Sequence, residues 1–137
     1  MRLKLPLLAS AVAAMQGCGP APRACLMPNQ KPMLELDFYF GRDVAGRALV
    51  TDAEWDDFAA HEITPRFPDG FSVLDANGQW LNPASGALTH EPTKILRVVA
   101  PASDTLAARV EAVSVTYRRR FHQNAVGMVS APVCAAF

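Results

Sequence analysis

The stretch LELDFYFG, residues 34–41, decides the fold. Leu34, Leu36, Phe38 and Phe40 alternate with Glu35, Asp37, Tyr39 and Gly41, a period of two that turns one apolar edge toward a core and a more polar edge away from it. Downstream the period becomes that of a helix. Thr51 and Glu54 have the spacing of a capping box, and Trp55, Phe58, Ala59 and Glu62 or Ile63 follow at helical intervals until Pro65. Pro68-Asp69-Gly70 predicts a turn into a second strand that starts near Phe71, runs through Val73 and Asp75, bulges at Asn77 and Gly78, and resumes over Gln79 to Leu81. Asn82 to Gly86 make the tip of a long hairpin, and the return strand carries Glu91, Lys94 and the β-branched run Ile95 to Ala100. A second helix is expected from Ser103 or Asp104, with Leu106, Val110, Val113, Tyr117 and Phe121 on one stripe and Arg118 to Arg120 at its C-terminal end, where positive charge suits the helix dipole. A last strand spans about Ala125 to Val133. The order strand, helix, strand, strand, helix, strand is the α+β ferredoxin-like βαββαβ unit, a four-stranded antiparallel sheet with both helices on one face.

That architecture leaves the other face of the sheet open. Leu96 and Val98 point to one side and Ile95 and Val99 to the other, so the open side carries apolar residues too. Two covers are expected: a second copy of the chain, giving a homodimer packed sheet to sheet, or the N-terminal tether.

Upstream of the domain, residues 1–17 have the order of a secretory signal: Arg2 and Lys4, an apolar run from Leu5 to Met15, then Gly17 ahead of Cys18. The apolar run is too short to span a bilayer. A cut before Cys18 would place a lipid on that cysteine and hold the protein at the membrane; a cut after Ala11-Val12-Ala13 would release it into the periplasm. Either way the chain is expected to be exported to the bacterial cell envelope. Residues 18–33, with Pro20, Pro22, Pro28 and Pro32, read as an extended tether, and residues 34–137 as one domain.

The cysteines are Cys18, Cys25 and Cys134. With Cys18 lipidated, Cys25 and Cys134 either form a disulfide, as an oxidising compartment permits, or remain two buried thiols. Neither cysteine has a second ligand at zinc spacing, and His61, His90 and His122 lie on separate elements, so neither a metal site nor a cofactor is expected. Thirteen basic residues balance thirteen acidic ones, and losing Arg2 and Lys4 with the signal leaves a net charge of −2. Nucleic acid, which needs a basic surplus, is thereby an unsuitable partner.

Several separated runs resemble the domain of unknown function 3574 family, small exported bacterial proteins. They are Phe38 to Arg42, Thr64 to Gly70, Val73 to Trp80, Glu91 with Lys94, and the ending Cys134 to Phe137. Where the typical member reads Leu-Tyr-Phe-Gly, this chain has Asp37-Phe38-Tyr39-Phe40-Gly41. The resemblance spans residues 34–137 and implies no catalytic residues.

Candidate binding residues fall in two groups. Arg42 and Arg47 flank a glycine-bearing loop ahead of the first helix, a setting that can cradle an anion as in acylphosphatases, or can be a solvated turn with salt-bridging arginines. Glu62, Arg66, Trp80, Glu91 and Lys94 form the second group, with Trp80 and Glu91 placed to approach each other across the hairpin; Tyr39 adds an aromatic from the first strand. The plainer reading makes Trp80 a hairpin-stabilising aromatic and the charges exposed pairs. No serine has a nucleophile-elbow context. The expected function is a small-ligand or protein-binding module rather than an enzyme. The alternative is a small dimeric α/β barrel-type enzyme, a cofactor-free monooxygenase or isomerase.

Overall fold

The computed structural model describes residues 25–83 and 85–137; the signal segment 1–17 and Cys18 lie outside the described residues. The elements are β1 (Lys31–Gly41), α1 (Asp52–Phe58) with a π-helical extension (Ala59–Ile63), β2 (Ser72–Leu81), β3 (Leu88–Ala100), α2 (Leu106–Phe121) and β4 (Gly127–Ala135). The strands form one antiparallel sheet in the order β2-β3-β1-β4, the ferredoxin-like arrangement expected from the sequence.

The alternation of residues 34–41 becomes two faces. Leu36, Phe38 and Phe40 are buried, and the register sets Leu36 opposite Val98 and Phe38 opposite Leu96, so one side of β1 and β3 forms the core floor. Trp55, Phe58 and Ile63 from the first helix, and Leu106, Val113, Tyr117 and Phe121 from α2, close over that floor. Thr51 caps α1 through the reciprocal box with Glu54. Beyond Phe58 the helix widens to a π turn closed by Thr64 N–H on the Ala59 carbonyl at 2.9 Å. The wider turn fits the five-residue step from Phe58 to Ile63, which brings both side chains onto the core.

Three boundaries differ from the sequence reading. β1 begins at Lys31 rather than Leu34, because residues 31–33 pair with β4, and Pro32 lies where β3 has already ended, so its missing N–H costs no ladder bond on that side. β2 has no bulge at Asn77 and Gly78: its register with β3 is continuous from Ser72 opposite Arg97 to Leu81 opposite Leu88, and Gly78 serves a different purpose described below. α2 starts at Leu106 and ends on His122 in the left-handed conformation (φ 53°), which shifts β4 to Gly127–Ala135. Cys25 and Cys134 are joined in a disulfide, with Cα atoms 5.6 Å apart, which ties the chain ahead of β1 to the edge strand.

Candidate functional site

β1 stops at Gly41, whereas the β2–β3 hairpin continues to Leu81 and Leu88. This mismatch leaves a step on the open face of the sheet. The step is deepened by residues with almost no side chain: Gly41, Ala76, Gly78 and Gly127 all line it. A β-carbon at Gly41 would collide with Glu91 Oε1, one at Gly78 would come within 3.3 Å of Thr93 Oγ1, and one at Gly127 would press at 3.3 Å on Tyr39 Cβ. The result is a groove of about 420 Å³, a size that accommodates small organic ligands. Trp80 on β2 and Tyr39 on β1, 46% and 38% exposed, line it at register positions on either side of Glu91 on β3.

Glu91 lies between them. Its Oε1 accepts the Asp43 backbone N–H at 3.2 Å, and among the described residues it has no ion-pair partner. Burial against the Gly41 backbone pushes its carboxyl above the usual glutamate range; the Asp43 N–H opposes the rise and the Asp43 charge adds to it. The surroundings hold the carboxylate in place. Asp43 is fixed from the other side by Gln123, whose amide donates to the Asp43 carbonyl, and Tyr117 OH donates to the Gly41 carbonyl at 2.8 Å.

Among the sequence candidates, the structure gathers Tyr39, Trp80 and Glu91 at this groove and sends the others elsewhere. Lys94 alternates to the helix side of β3, where it is 8% exposed and pairs with Asp75 at 2.6 Å and Asp52 at 3.2 Å. Arg42 donates to the Val50 carbonyl at 2.7 Å and pairs with Asp52 at 3.1 Å, and Arg47 pairs with Glu54 at 3.1 Å. The loop after β1 is therefore a turn closed by its own arginines, and its guanidiniums are engaged rather than gathered around an anion. Glu62 and Arg66 pair with each other at 2.9 Å at the end of the first helix, away from the groove residues. His61 pairs with Asp57.

Sequence reasoning missed the floor. Gly78 read as part of a bulge, and Gly41, Ala76 and Gly127 drew no reading as part of this site; on one face of one sheet they form a depression. The available signal was parity, since Ala76, Gly78 and Trp80 alternate on β2 in phase with Glu91 and Thr93 on β3.

The seat of Glu91 predicts a pH effect. At pH well below 4.5 the carboxyl is protonated in the folded and unfolded chains alike; as pH rises, the unfolded chain ionises first and stability is lost until the raised folded value is passed. Glu91→Gln is therefore expected to raise the unfolding free energy at pH 7, by under about 1 kcal/mol because solvent screens a partly exposed carboxylate, with no gain at pH 3. Paired urea titrations at the two pH values measure it, and a gain at pH 3 equal to that at pH 7 would contradict the desolvated carboxylate.

A family model described as "Protein of unknown function (DUF3574)" matches residues 35–137. Among curated proteins none matches. Among solved structures, a phage SAM lyase in complex with S-methyl-5′-thioadenosine is similar at 15% identity and a TM-score of 0.59, covering 77% of this chain and 90% of that one. Its apo state is similar at 14% identity and a TM-score of 0.55, with the same coverage. The CutA protein of Synechococcus elongatus, complexed with a Bis-Tris molecule, is similar at 9% identity and a TM-score of 0.50, covering 78% of this chain and 87% of that one. At these identities the likeness is one of fold.

Proposed function

The chain belongs to the DUF3574 family of proteins of unknown function, and from that premise we propose that it is an exported binding module of the bacterial envelope that takes a small organic ligand in the groove on its open sheet face. One observation carries the reading: three glycines and an alanine clear a floor on which a carboxylate, without an ion-pair partner among the described residues, is seated between two exposed aromatic residues. A sheet face that only needed to be soluble has no use for Trp80 at 46% exposure beside a glycine floor; a ligand surface does.

Ala76→Leu tests this by filling the groove at a position that is already strand and faces away from the core. A panel of small metabolites is expected to include compounds that raise the melting temperature of the natural protein and fail to raise that of Ala76→Leu. Stabilisation that is the same in both proteins would remove the groove from the proposal.

Export and anchoring belong to the same proposal. They rest on the signal-like order of residues 1–17 ahead of Cys18. An acylated Cys18 at the mature N-terminus, read by mass spectrometry of protein from a bacterial envelope, is the expected result, and an unmodified N-terminus at Ala14 would replace the anchor with a soluble periplasmic form. Pairing of two copies through Leu74 and Val129, which continue the open face beside the groove, and Ile95 at the groove's own wall is the corresponding proposal for assembly. Light scattering that returns a monomer mass at high concentration would exclude it.

The enzymatic alternative has Glu91 in its favour, since a desolvated carboxyl in a groove suits proton transfer. Chemical conversion of a groove ligand that stops in Glu91→Gln would establish that alternative.

A further inference from the structure

We infer that the ligand of this groove is an organic cation, an ammonium or guanidinium carried on a small apolar body. The inference deepens the groove reading and rests on it.

Among the described residues of β1, β3 and the loop after β1, Lys94 is engaged by Asp75 and Asp52, Arg42 by Asp52, Arg47 by Glu54, and Arg97 by Asp37 at 2.6 Å. Glu91 is left without a cation among the described residues, although it is partly desolvated and its position is enforced by Gly41. Leaving an ionised carboxylate half-buried beside a second acid, Asp43, is unfavourable unless something positive arrives. The site offers that visitor what it needs. Trp80 and Tyr39, at register positions on either side of Glu91, line the groove with aromatic rings, whose quadrupoles attract a cation. Gln79, Asn77 and Thr93 line the groove with neutral polar groups, and among the described residues no lysine or arginine lines it. An anion would meet the Glu91 charge with no cation in the lining to offset it, and a neutral ligand would leave that charge unpaired.

The test compares matched probes on the mature protein. Choline and 3,3-dimethylbutan-1-ol have nearly the same shape and differ in the charge; benzyltrimethylammonium and benzoate extend the comparison to aromatic cations and anions. Binding is read by chemical-shift changes of the Trp80 indole, with Trp55 buried in the core as an internal reference. Choline and benzyltrimethylammonium are expected to bind at least about tenfold more tightly than the neutral alcohol and benzoate. Glu91→Gln, which keeps the fold, is expected to abolish that preference. Vesicles of phosphatidylcholine against free choline then separate a lipid headgroup from a soluble amine as the source of the cation.

Equal binding of choline and its neutral analogue, unchanged in Glu91→Gln, would overturn the cation and leave the groove standing. Silence of Trp80 toward all the probes would also overturn it, while the metabolite panel with Ala76→Leu decides the groove separately.

Discussion

Serine at both Cys25 and Cys134 is expected to lower the unfolding free energy by about 4–5 kcal/mol, the chain-entropy value for opening a loop of this length. The bridge joins residues 109 positions apart and so encloses almost the whole domain, which is why its effect on the unfolded ensemble is near the top of the usual range. In the folded state it acts where the sheet is weakest. Residues 31–33 of β1 pair only with β4, and β4 is an edge strand, so the bridge holds the end of the sheet that lacks a second neighbour. A loss of this size is a large share of the 5–15 kcal/mol typical of a domain. Urea unfolding of the double variant, alongside the natural protein with and without reductant, measures it. The groove lies at the opposite end of β1, beside Tyr39 and Gly41, so ligand affinity of the folded double variant is expected to be unchanged. A change in unfolding free energy below about 1 kcal/mol would show that the pair contributes little to the fold.

Phe40→Ala is expected to cost about 3–5 kcal/mol, whereas Tyr39→Ala, one residue away, is expected to cost under about 1 kcal/mol and to weaken ligand binding. The contrast follows from strand parity. Phe40 is fully buried and its ring meets Tyr117 at 4.6 Å and Trp55 at 5.2 Å between centroids, both edge to face, and stacks on Phe38 at 5.8 Å. Truncation removes the ring and leaves a cavity between sheet and helices that the surrounding aromatics cannot fill without leaving their rotamers. Tyr39 points the other way, onto the groove. Tyr117→Phe is a milder probe of the same junction: it keeps the ring but removes the donor to the Gly41 carbonyl, a loss of about 1 kcal/mol at the backbone that seats Glu91. Urea denaturation ranks the three variants, and a Phe40→Ala loss no greater than that of Tyr39→Ala would refute the assignment of faces.

Parity explains both the success and the failures of reading this chain. The alternation in residues 34–41, the Thr51–Glu54 box and the stripe from Leu106 to Phe121 are local signals, and each became the element it predicted. The bulge at Asn77-Gly78 did not, because the unusual residues there answer to Thr93 and Glu91 across the strand pair rather than to the β2 backbone. The charged candidates separated for the same reason. Glu91 and Lys94 are three apart on one strand, an odd step, and therefore point to opposite faces of the sheet. Arg66 found Glu62 one helical turn away and had no reach to the hairpin.

By itself the sequence determined the order of strands and helices, which edge of β1 faces the core, and the cysteines available to pair, since periodicity, capping and composition act over a few residues and are written where they operate. Only the tertiary structure decided that glycines from three strands share one floor, that Trp80 and Tyr39 flank Glu91, and that Lys94, Arg42, Arg47 and Arg66 pair with other carboxylates. Those outcomes depend on register and strand length, which bring together residues far apart along the chain and which no local pattern records.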